Sequence, residues 1–161
     1  TEPMNRLSSF SLGVNAAIGL FVVVLFSATA LWFGIAHSRP TVQAKLGEGE
    51  YVLLVASTEP QRIQGLSGVS KLDPNSGLFM DFKTDDTWGI WMKDMRIPLD
   101  IVWLDKDKKV VYIVQHAQPE TPVKTIYRPL QPTRYVLELP AGSVKRSAIQ
   151  TGITVKISDN K

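Results

Sequence analysis

The sequence predicts a mainly β protein: a compact antiparallel sandwich or barrel with one or two short helices, preceded by an N-terminal transmembrane helix. Three observations support this prediction. A long uncharged apolar segment lies near the N-terminus, about seven short segments rich in strand-forming residues follow it, and little helical periodicity separates them. Short strands without helices between them are typical of a sandwich or a closed sheet rather than of an alternating α/β sheet.

The first 50 residues divide into a short tail at residues 1 to 13, an apolar segment at 14 to 36 and a linker at 37 to 50. The apolar segment has 23 residues and no charged side chain. As a helix it would be roughly 34 Å long, enough to cross a hydrocarbon core of about 30 Å, so we predict a transmembrane helix or signal anchor. A cleaved signal peptide is the alternative, because residues 28 to 30 (Ala-Thr-Ala) resemble a cleavage site, but the apolar run continues beyond them.

The charges that flank the apolar segment do not favour a cytoplasmic N-terminus. Arg6 precedes the segment, whereas Arg39 and Lys45 follow it. A very short tail before a single apolar segment nevertheless commonly acts as an export signal. We therefore expect a single-pass membrane protein whose C-terminal domain lies outside the cytoplasm.

Residues 51 to 161 are predicted to form one β domain. Its strands are expected at residues 51 to 56, 77 to 82, 88 to 92, 99 to 104, 110 to 115, 135 to 139 and 153 to 157. The charged run at residues 105 to 108 is expected to be the loop of a hairpin.

Two short helical segments are predicted within this domain. The first is predicted to begin after Thr58, which can cap it. Two further signals support this start: Pro60 is tolerated at an early helical position, and Gln61 stands three residues after the cap. This helix is expected to end near Gly65. The second is a single turn at residues 143 to 148, for which Ser143 is the predicted cap.

A proline-rich connection occupies residues 117 to 134. Its four prolines exclude a central strand or a helix. A long irregular segment of this kind is either a functional loop or an extended crossing of the surface, and the sequence leaves both interpretations open.

Two isolated carboxylates stand on apolar strands. Asp100 shares a strand face with Val102 and Leu104, and Glu138 shares a face with Val136. A buried carboxylate needs a partner, and Lys93 and Arg62 are available cations. One polar cluster could therefore be a structural ion-pair network, a ligand pocket, or a pair of carboxylates for general acid–base catalysis.

The ligand-pocket interpretation assigns a role to five residues. Arg62 and Lys93 would hold an anionic group, Trp91 would stack on the ligand, and Asp100 and Glu138 would orient the cations.

Metal and nucleic-acid binding receive less support from the composition. Met92, Met95 and His116 are the ligands that a copper site would use, but a methionine in an apolar strand usually fills the core. No cysteine is present, which excludes disulfides, zinc–thiolate sites and cysteine catalysis. After residue 40 the chain has 16 basic and 14 acidic residues, too even a balance for a nucleic-acid footprint. We predict no cofactor and no nucleic-acid partner.

The sequence resembles the prokaryotic family named domain of unknown function 192 (DUF-192) at several motifs, which occur in the same order as in that family. They are QGL at residues 64 to 66, GLFMDF at 77 to 82, WMK at 91 to 93, IPLDI at 97 to 101 and YVLELPAG at 135 to 142. The resemblance implies a mostly antiparallel β sandwich or barrel, often behind a signal or membrane segment, and it implies no established activity. Lys108 departs from the glycine that commonly ends the hairpin loop, and Ser67 stands where a larger apolar residue is common.

The function predicted from the sequence is that of a membrane-anchored domain, held by residues 14 to 36, that binds a small polar or anionic ligand or a protein partner at the cell surface. Two alternatives remain. One is a hydrolase or lyase that uses Asp100 or Glu138, and the other is a structural accessory module of a membrane assembly.

Overall fold

A mixed seven-stranded sheet with two short helices forms the part of the chain described by the computed structural model, residues 39 to 159. The mainly β prediction is confirmed. In chain order the elements are β1 (Thr41–Leu46), β2 (Gly49–Ala56), α1 (Glu59–Gln64), β3 (Ser76–Asp86), β4 (Leu99–Leu104), β5 (Val110–Ala117), β6 (Thr133–Pro140), α2 (Ser143–Arg146) and β7 (Lys156–Asp159).

The strands lie in the order β5-β4-β6-β3-β2-β1-β7. Five neighbouring pairs are antiparallel, but β2 and β3 are parallel, with Leu54 opposite Leu78. The expectation of an antiparallel sheet is therefore wrong at this pair. Parallel neighbours need a crossover connection, and here α1 and the loop after it return the chain to the starting end of β2.

The two ends of this row of strands approach each other through backbone hydrogen bonds. Val110 N donates to Ile153 O at 2.8 Å, Gly152 N donates to Val110 O at 2.7 Å, and Val155 N donates to Lys108 O at 2.9 Å. The start of β5 is thus joined to the segment that leads into β7. These bonds therefore connect the two edges of the sheet next to the point where β7 begins.

Apolar side chains pack on both faces of the sheet. The Val102 cluster, on one face, includes Leu53, Leu104, Leu137 and Leu139. The Trp103 cluster, on the other face, includes Leu78, Met80, Ile101 and Val136. All six residues of β4 are buried, which confirms that this strand is covered on both sides.

Several predicted boundaries differ from the structure. The segment assigned to a linker contains β1, whose Val42, Ala44 and Leu46 point inward in alternation. Residues 88 to 92 form no strand; Ile90 makes only an isolated bridge to Tyr127. Their backbone pairs with the proline-rich connection instead of the sheet, so the apolar pattern there reflects burial under a loop.

The two predicted helices are present, with one change at a cap. The first spans Glu59–Gln64, and Gly65 follows it as expected. The second begins at Ser143, so Ser143 is its first residue and Gly142 occupies the cap position. Gly142 has a φ of 88°, and an L residue disfavours this left-handed conformation.

The predicted transmembrane segment at residues 14 to 36 lies outside the described residues. Within residues 39 to 159, no helix is long and apolar enough to span a membrane.

Candidate functional site

A cavity of about 390 Å³ opens beside α1, over the Trp103 cluster. Its walls come from α1 and the turn after it, from β3, from the segment after β3 and from β6. The lining residues are mostly apolar or aromatic: Glu59, Arg62, Ile63, Gln64, Gly65, Leu66, Ser67, Met80, Phe82, Trp88, Gly89, Ile90, Trp91, Met95 and Glu138. A pocket of this volume and composition is typical of small-molecule sites.

The α1 wall is fixed by local hydrogen bonds at both ends of the helix. Gln61 Oε1 accepts the backbone N–H groups of Ser57 and Thr58, both at 3.1 Å. Gly65 N donates to Gln61 O at 3.0 Å and ends the helix with a φ of 52°. A Cβ atom at Gly65 would lie 3.6 Å from Oε2 of Glu138, so the turn after α1 runs directly over that carboxyl group.

Arg62 belongs to an aromatic wall of the cavity. Its Nη1 donates to Ser57 O at 2.8 Å and to Asp81 O at 2.9 Å, which ties α1 to β3. The guanidinium carbon lies 5.0 Å from the centre of the Phe82 ring, and Phe82 stacks on Trp88 with 4.4 Å between ring centres. This wall therefore already accommodates one cation over an aromatic ring.

Glu138 is the buried polar group of the cavity. It lies on central strand β6 and is only 4% exposed. Among the described residues, its Oε2 is the buried side-chain polar atom without a hydrogen-bond partner. Burial raises the pKa of Glu138 to about 7, although the positive charge of Arg39 opposes this rise. A carboxyl group in this state can accept a donor from a ligand or exchange a proton with one.

Arg39 is the nearby cation that acts on Glu138, and two of its N–H groups donate to the end of α1. Its Nη2 donates to Gln64 Oε1 at 2.9 Å, and its Nη1 donates to Gly65 O at 3.3 Å. Arg39 thus holds the end of α1, and its charge acts on Glu138.

Asp100 lies on the opposite face of the sheet from Glu138. The residue paired with Glu138 on β4 is Ile101, so the preceding side chain points the other way. Asp100 is completely buried; its Oδ1 accepts His116 N at 2.9 Å and its Oδ2 accepts Val144 N at 2.8 Å. This carboxylate fastens α2 to the β4–β5 pair, which is a structural task.

The structure therefore brings together only part of the predicted set. Arg62, Trp91 and Glu138 line one cavity, with Trp91 40% exposed at its mouth. Lys93 is exposed and does not line it; its backbone oxygen accepts the Ser67 hydroxyl at 3.0 Å. The single polar cluster expected from the sequence is thus divided between two faces of the sheet and a surface loop.

The residues considered for copper occupy different environments. Met92 and Met95 are both buried in the Trp103 cluster. His116 is largely exposed, and its Nδ1 lies 3.9 Å from Asp100 Oδ1. Within residues 39 to 159, no group of three or more His, Cys, Asp or Glu side chains is arranged to hold a metal ion.

Sequence reasoning missed several residues that shape the cavity, among them Glu59, Met80, Phe82 and Trp88. The alternation Leu78, Met80, Phe82 would have placed the latter two on one face of β3. No comparable signal exists for Trp88, because its position depends on how the loop after β3 folds back.

A second depression, of about 590 Å³, crosses β1, β2 and β7. Its charged side chains include Lys45 and Glu50, which are well exposed and face each other at 3.9 Å. No buried side-chain N or O atom without a partner is found there in the described part of the chain. The cavity over Glu138 is therefore the stronger candidate.

Comparisons with known proteins agree with the resemblance seen in the sequence. The model of the DUF192 family, described as "Uncharacterized ACR", matches residues 42–157. No curated protein matches the chain. A crystal structure from Sinorhizobium meliloti 1021, provisionally described as a transcription regulator, is similar at a TM-score of 0.67 and 28% identity over 74% of this chain and 94% of that one. A crystal structure of a protein of unknown function from Novosphingobium aromaticivorans DSM 12444 has a TM-score of 0.64 and 28% identity over 72% and 83% of the two chains.

Proposed function

We propose that this chain, which belongs to the DUF192 family, binds a small and largely apolar ligand in the cavity over Glu138. The observation that carries the proposal is the carboxyl group of Glu138, which lines an apolar cavity and whose buried Oε2 has no hydrogen-bond partner in the described part of the chain. Buried polar atoms in native proteins are nearly always paired, so a carboxyl group that lines a cavity and has an unpaired oxygen is well placed to meet a ligand. The ligand supplies the missing hydrogen-bond donor.

The charges around the cavity disfavour the anionic ligand expected from the sequence. Its lining includes two carboxyl groups, Glu59 and Glu138, and one cation, Arg62. Arg62 already donates to two backbone carbonyl oxygens. A ligand that is neutral or cationic at its polar end fits this arrangement better than an anion.

Binding of small aromatic molecules to the purified protein tests this proposal. Trp88 and Trp91 line the cavity, so their fluorescence should change as a ligand fills it. We expect Glu138→Gln to alter affinity while Glu48→Gln, an exposed carboxyl in the β1–β2 turn, leaves it unchanged. Binding that is identical in all three proteins would contradict the assignment of the site.

Proton transfer by Glu138 is a second candidate function. It is favoured by the pKa of about 7, which allows a carboxyl group to give and take protons near neutral pH. Asp100 does not fit the role of its catalytic partner, because both of its oxygens accept backbone N–H groups on the other face of the sheet. The test is turnover of a bound ligand, which Glu138→Gln should abolish without preventing binding.

We also propose that residues 14 to 36 anchor the chain in a membrane with the β domain outside the cytoplasm. The support is the 23-residue uncharged sequence. A C-terminal alkaline phosphatase fusion should be active, since that enzyme requires an oxidising compartment for its disulfides. The fusion should also stay with membranes after alkaline extraction. An inactive fusion, or one released by that treatment, would contradict the proposal.

A further inference from the structure

We infer that the ligand of this cavity is a small amine: an apolar body whose ammonium group binds the carboxyl group of Glu138 and lies against the aromatic wall. This inference rests on the proposed function and names its ligand class. It follows from the charges, the aromatic rings and the size of the cavity.

The charges that face Glu138 favour a cation at this position. Around it, α1 contributes Glu59 and Arg62, and Arg39 lies before β1. Both arginines are engaged with oxygen atoms of the protein. The strands that flank Glu138 contribute the apolar side chains Leu78 and Ile101 at the paired positions. The cavity lining thus offers an ammonium group two carboxyl groups, Glu59 and Glu138, and the group would form a charge-assisted hydrogen bond with the buried one.

The aromatic side chains lower the cost of moving a cation out of water. Phe82, Trp88 and Trp91 line the cavity, and Arg62 already lies over the Phe82 ring. Ring faces attract cations because of their negative quadrupole. Trp91 and Ile63 are 40% and 55% exposed, so the mouth is open to an incoming ligand.

The volume limits the size of the amine. About 390 Å³ is near the lower end of the usual range for ligand pockets, roughly 300–1,000 Å³. A single aromatic ring with a short side chain fits such a space. Phenethylamine, 2-phenylethanol and phenylacetate therefore make a matched set of probes that differ in the charge of one end.

Protonation of Glu138 gives the inference a second signature. An ammonium group binds best to the ionised carboxylate, so binding should release a proton wherever Glu138 is protonated beforehand. Affinity for phenethylamine should accordingly rise between pH 5.5 and pH 8, while the amine itself stays charged because its pKa is about 10. Affinity for 2-phenylethanol should change much less.

Calorimetric titration of the full-length protein with the three probes tests the inference. At pH 8 we expect phenethylamine to bind about tenfold tighter than 2-phenylethanol, and phenylacetate to bind weakest. Glu138→Gln should remove the preference for the amine yet still bind 2-phenylethanol, which would show that the variant cavity is intact. Glu48→Gln should behave as the wild type.

Three outcomes overturn different statements. If 2-phenylethanol binds as tightly as phenethylamine and Glu138→Gln alters that binding, the amine inference is wrong and the proposed ligand site stands. If phenylacetate binds as tightly as phenethylamine, the amine inference is wrong and so is the argument that the charges of the cavity disfavour an anion. If none of the three probes binds the wild type, the inference and the proposed function both fail.

Discussion

Glu138 and Asp100 show how two similar carboxyl groups can be buried for different reasons. Both stand on central strands and both are almost completely buried. Asp100 receives two backbone N–H groups, whereas Oε2 of Glu138 receives none from the described residues. The hydrogen bonds of Asp100 offset the free-energy cost of its burial. The burial of Oε2 of Glu138 is not offset in this way, and it destabilises the fold until a ligand supplies a hydrogen-bond donor.

Glu138 should make stability fall as the pH rises. Its pKa is raised from 4.5 to about 7 in the folded protein, so between these values the folded state holds a proton that the unfolded state has released. The free energy of unfolding should decrease by about 3 kcal/mol from pH 4.5 to pH 7 through this group. Glu138→Gln should lack this decrease and should exceed the wild type in stability above pH 7.

Urea unfolding of both proteins at pH 5, 6, 7 and 8 measures this difference. Parallel stability profiles for wild type and Glu138→Gln would show that the carboxyl group titrates normally in the folded state.

Removing the charge of Asp100 should lower the stability of the protein, whereas removing that of Glu138 should raise it above pH 7. In the wild type, the backbone N–H groups of His116 and Val144 each donate to one oxygen of Asp100. In Asp100→Asn, the side-chain NH₂ group would replace one of these oxygens and would face an N–H group, so that one hydrogen bond would be lost. We expect the free energy of unfolding to fall by roughly 3 kcal/mol. Denaturant unfolding at pH 7 measures the change, with Asp107→Asn in the exposed hairpin as a control that should leave stability nearly unchanged. Equal stability of the two variants would contradict the structural role of Asp100.

At the level of elements, α1 is a short helix held by contacts rather than by its length. Six residues are too few for a stable isolated helix. Gln61 binds its start, Arg62 ties it to β3, and Arg39 binds its end. Because α1 forms one wall of the cavity, these contacts also define the shape of the site.

Gln61→Ala should loosen this wall. The backbone N–H groups of Ser57 and Thr58 lose their acceptor, which should cost about 1 kcal/mol of stability. Hydrogen exchange of these two amides should accelerate. Gln131→Ala, at an exposed position of the proline-rich connection, is the matched control. Unchanged exchange at both amides would show that the Gln61 side chain does not hold the helix start.

The hairpin between β4 and β5 explains one departure from the family pattern. Lys108 has a φ of 60°, a conformation that glycine adopts at little cost. Asp105 Oδ1 accepts the N–H groups of Asp107 and Lys109, both at 2.9 Å, and so holds the loop in place. The turn therefore tolerates lysine where glycine is common.

At the scale of the whole β domain, the contact between the start of β5 and the segment before β7 predicts which amides are protected from hydrogen exchange. The amides of Val110, Gly152 and Val155 donate across this contact. They should exchange with solvent as slowly as amides of stable sheet pairs, whereas the amide of Leu130, whose residue is 94% exposed, should exchange rapidly. Native-state hydrogen exchange measures this. Fast exchange at all three amides would mean that the two ends of the sheet separate readily.

Local patterns in the sequence predicted most of the fold but less of the site. The strands around Leu99 and Tyr135 followed from runs of strand-forming residues, and α1 followed from Thr58 and Gln61. β1 was missed because Gln43, Ala44 and Lys45 are weak strand formers, and its strand state depends on pairing with β2 and β7.

The site required information that no single strand contains. The sequence predicts one cluster for Asp100 and Glu138 because both are lone carboxylates on apolar strands. The register pairs Ile101 with Glu138, so the two carboxylates lie on opposite faces of the sheet. Register is set by strand order across the whole sheet, which sequence spacing does not reveal. Trp88 enters the cavity because its backbone oxygen accepts the Trp103 indole N–H at 2.9 Å, a contact between distant parts of the chain.

The strand order also dictates when the protein can fold during its synthesis. β6 lies between β3 and β4, although it follows both in the chain, and it carries Glu138. Until the ribosome has released residues 133 to 140, β3 and β4 each present an open edge, and no partial product can complete the sheet. The sheet therefore cannot be completed before β6 has been synthesised, so the strand that carries Glu138 is the last of the three strands β3, β4 and β6 to be made.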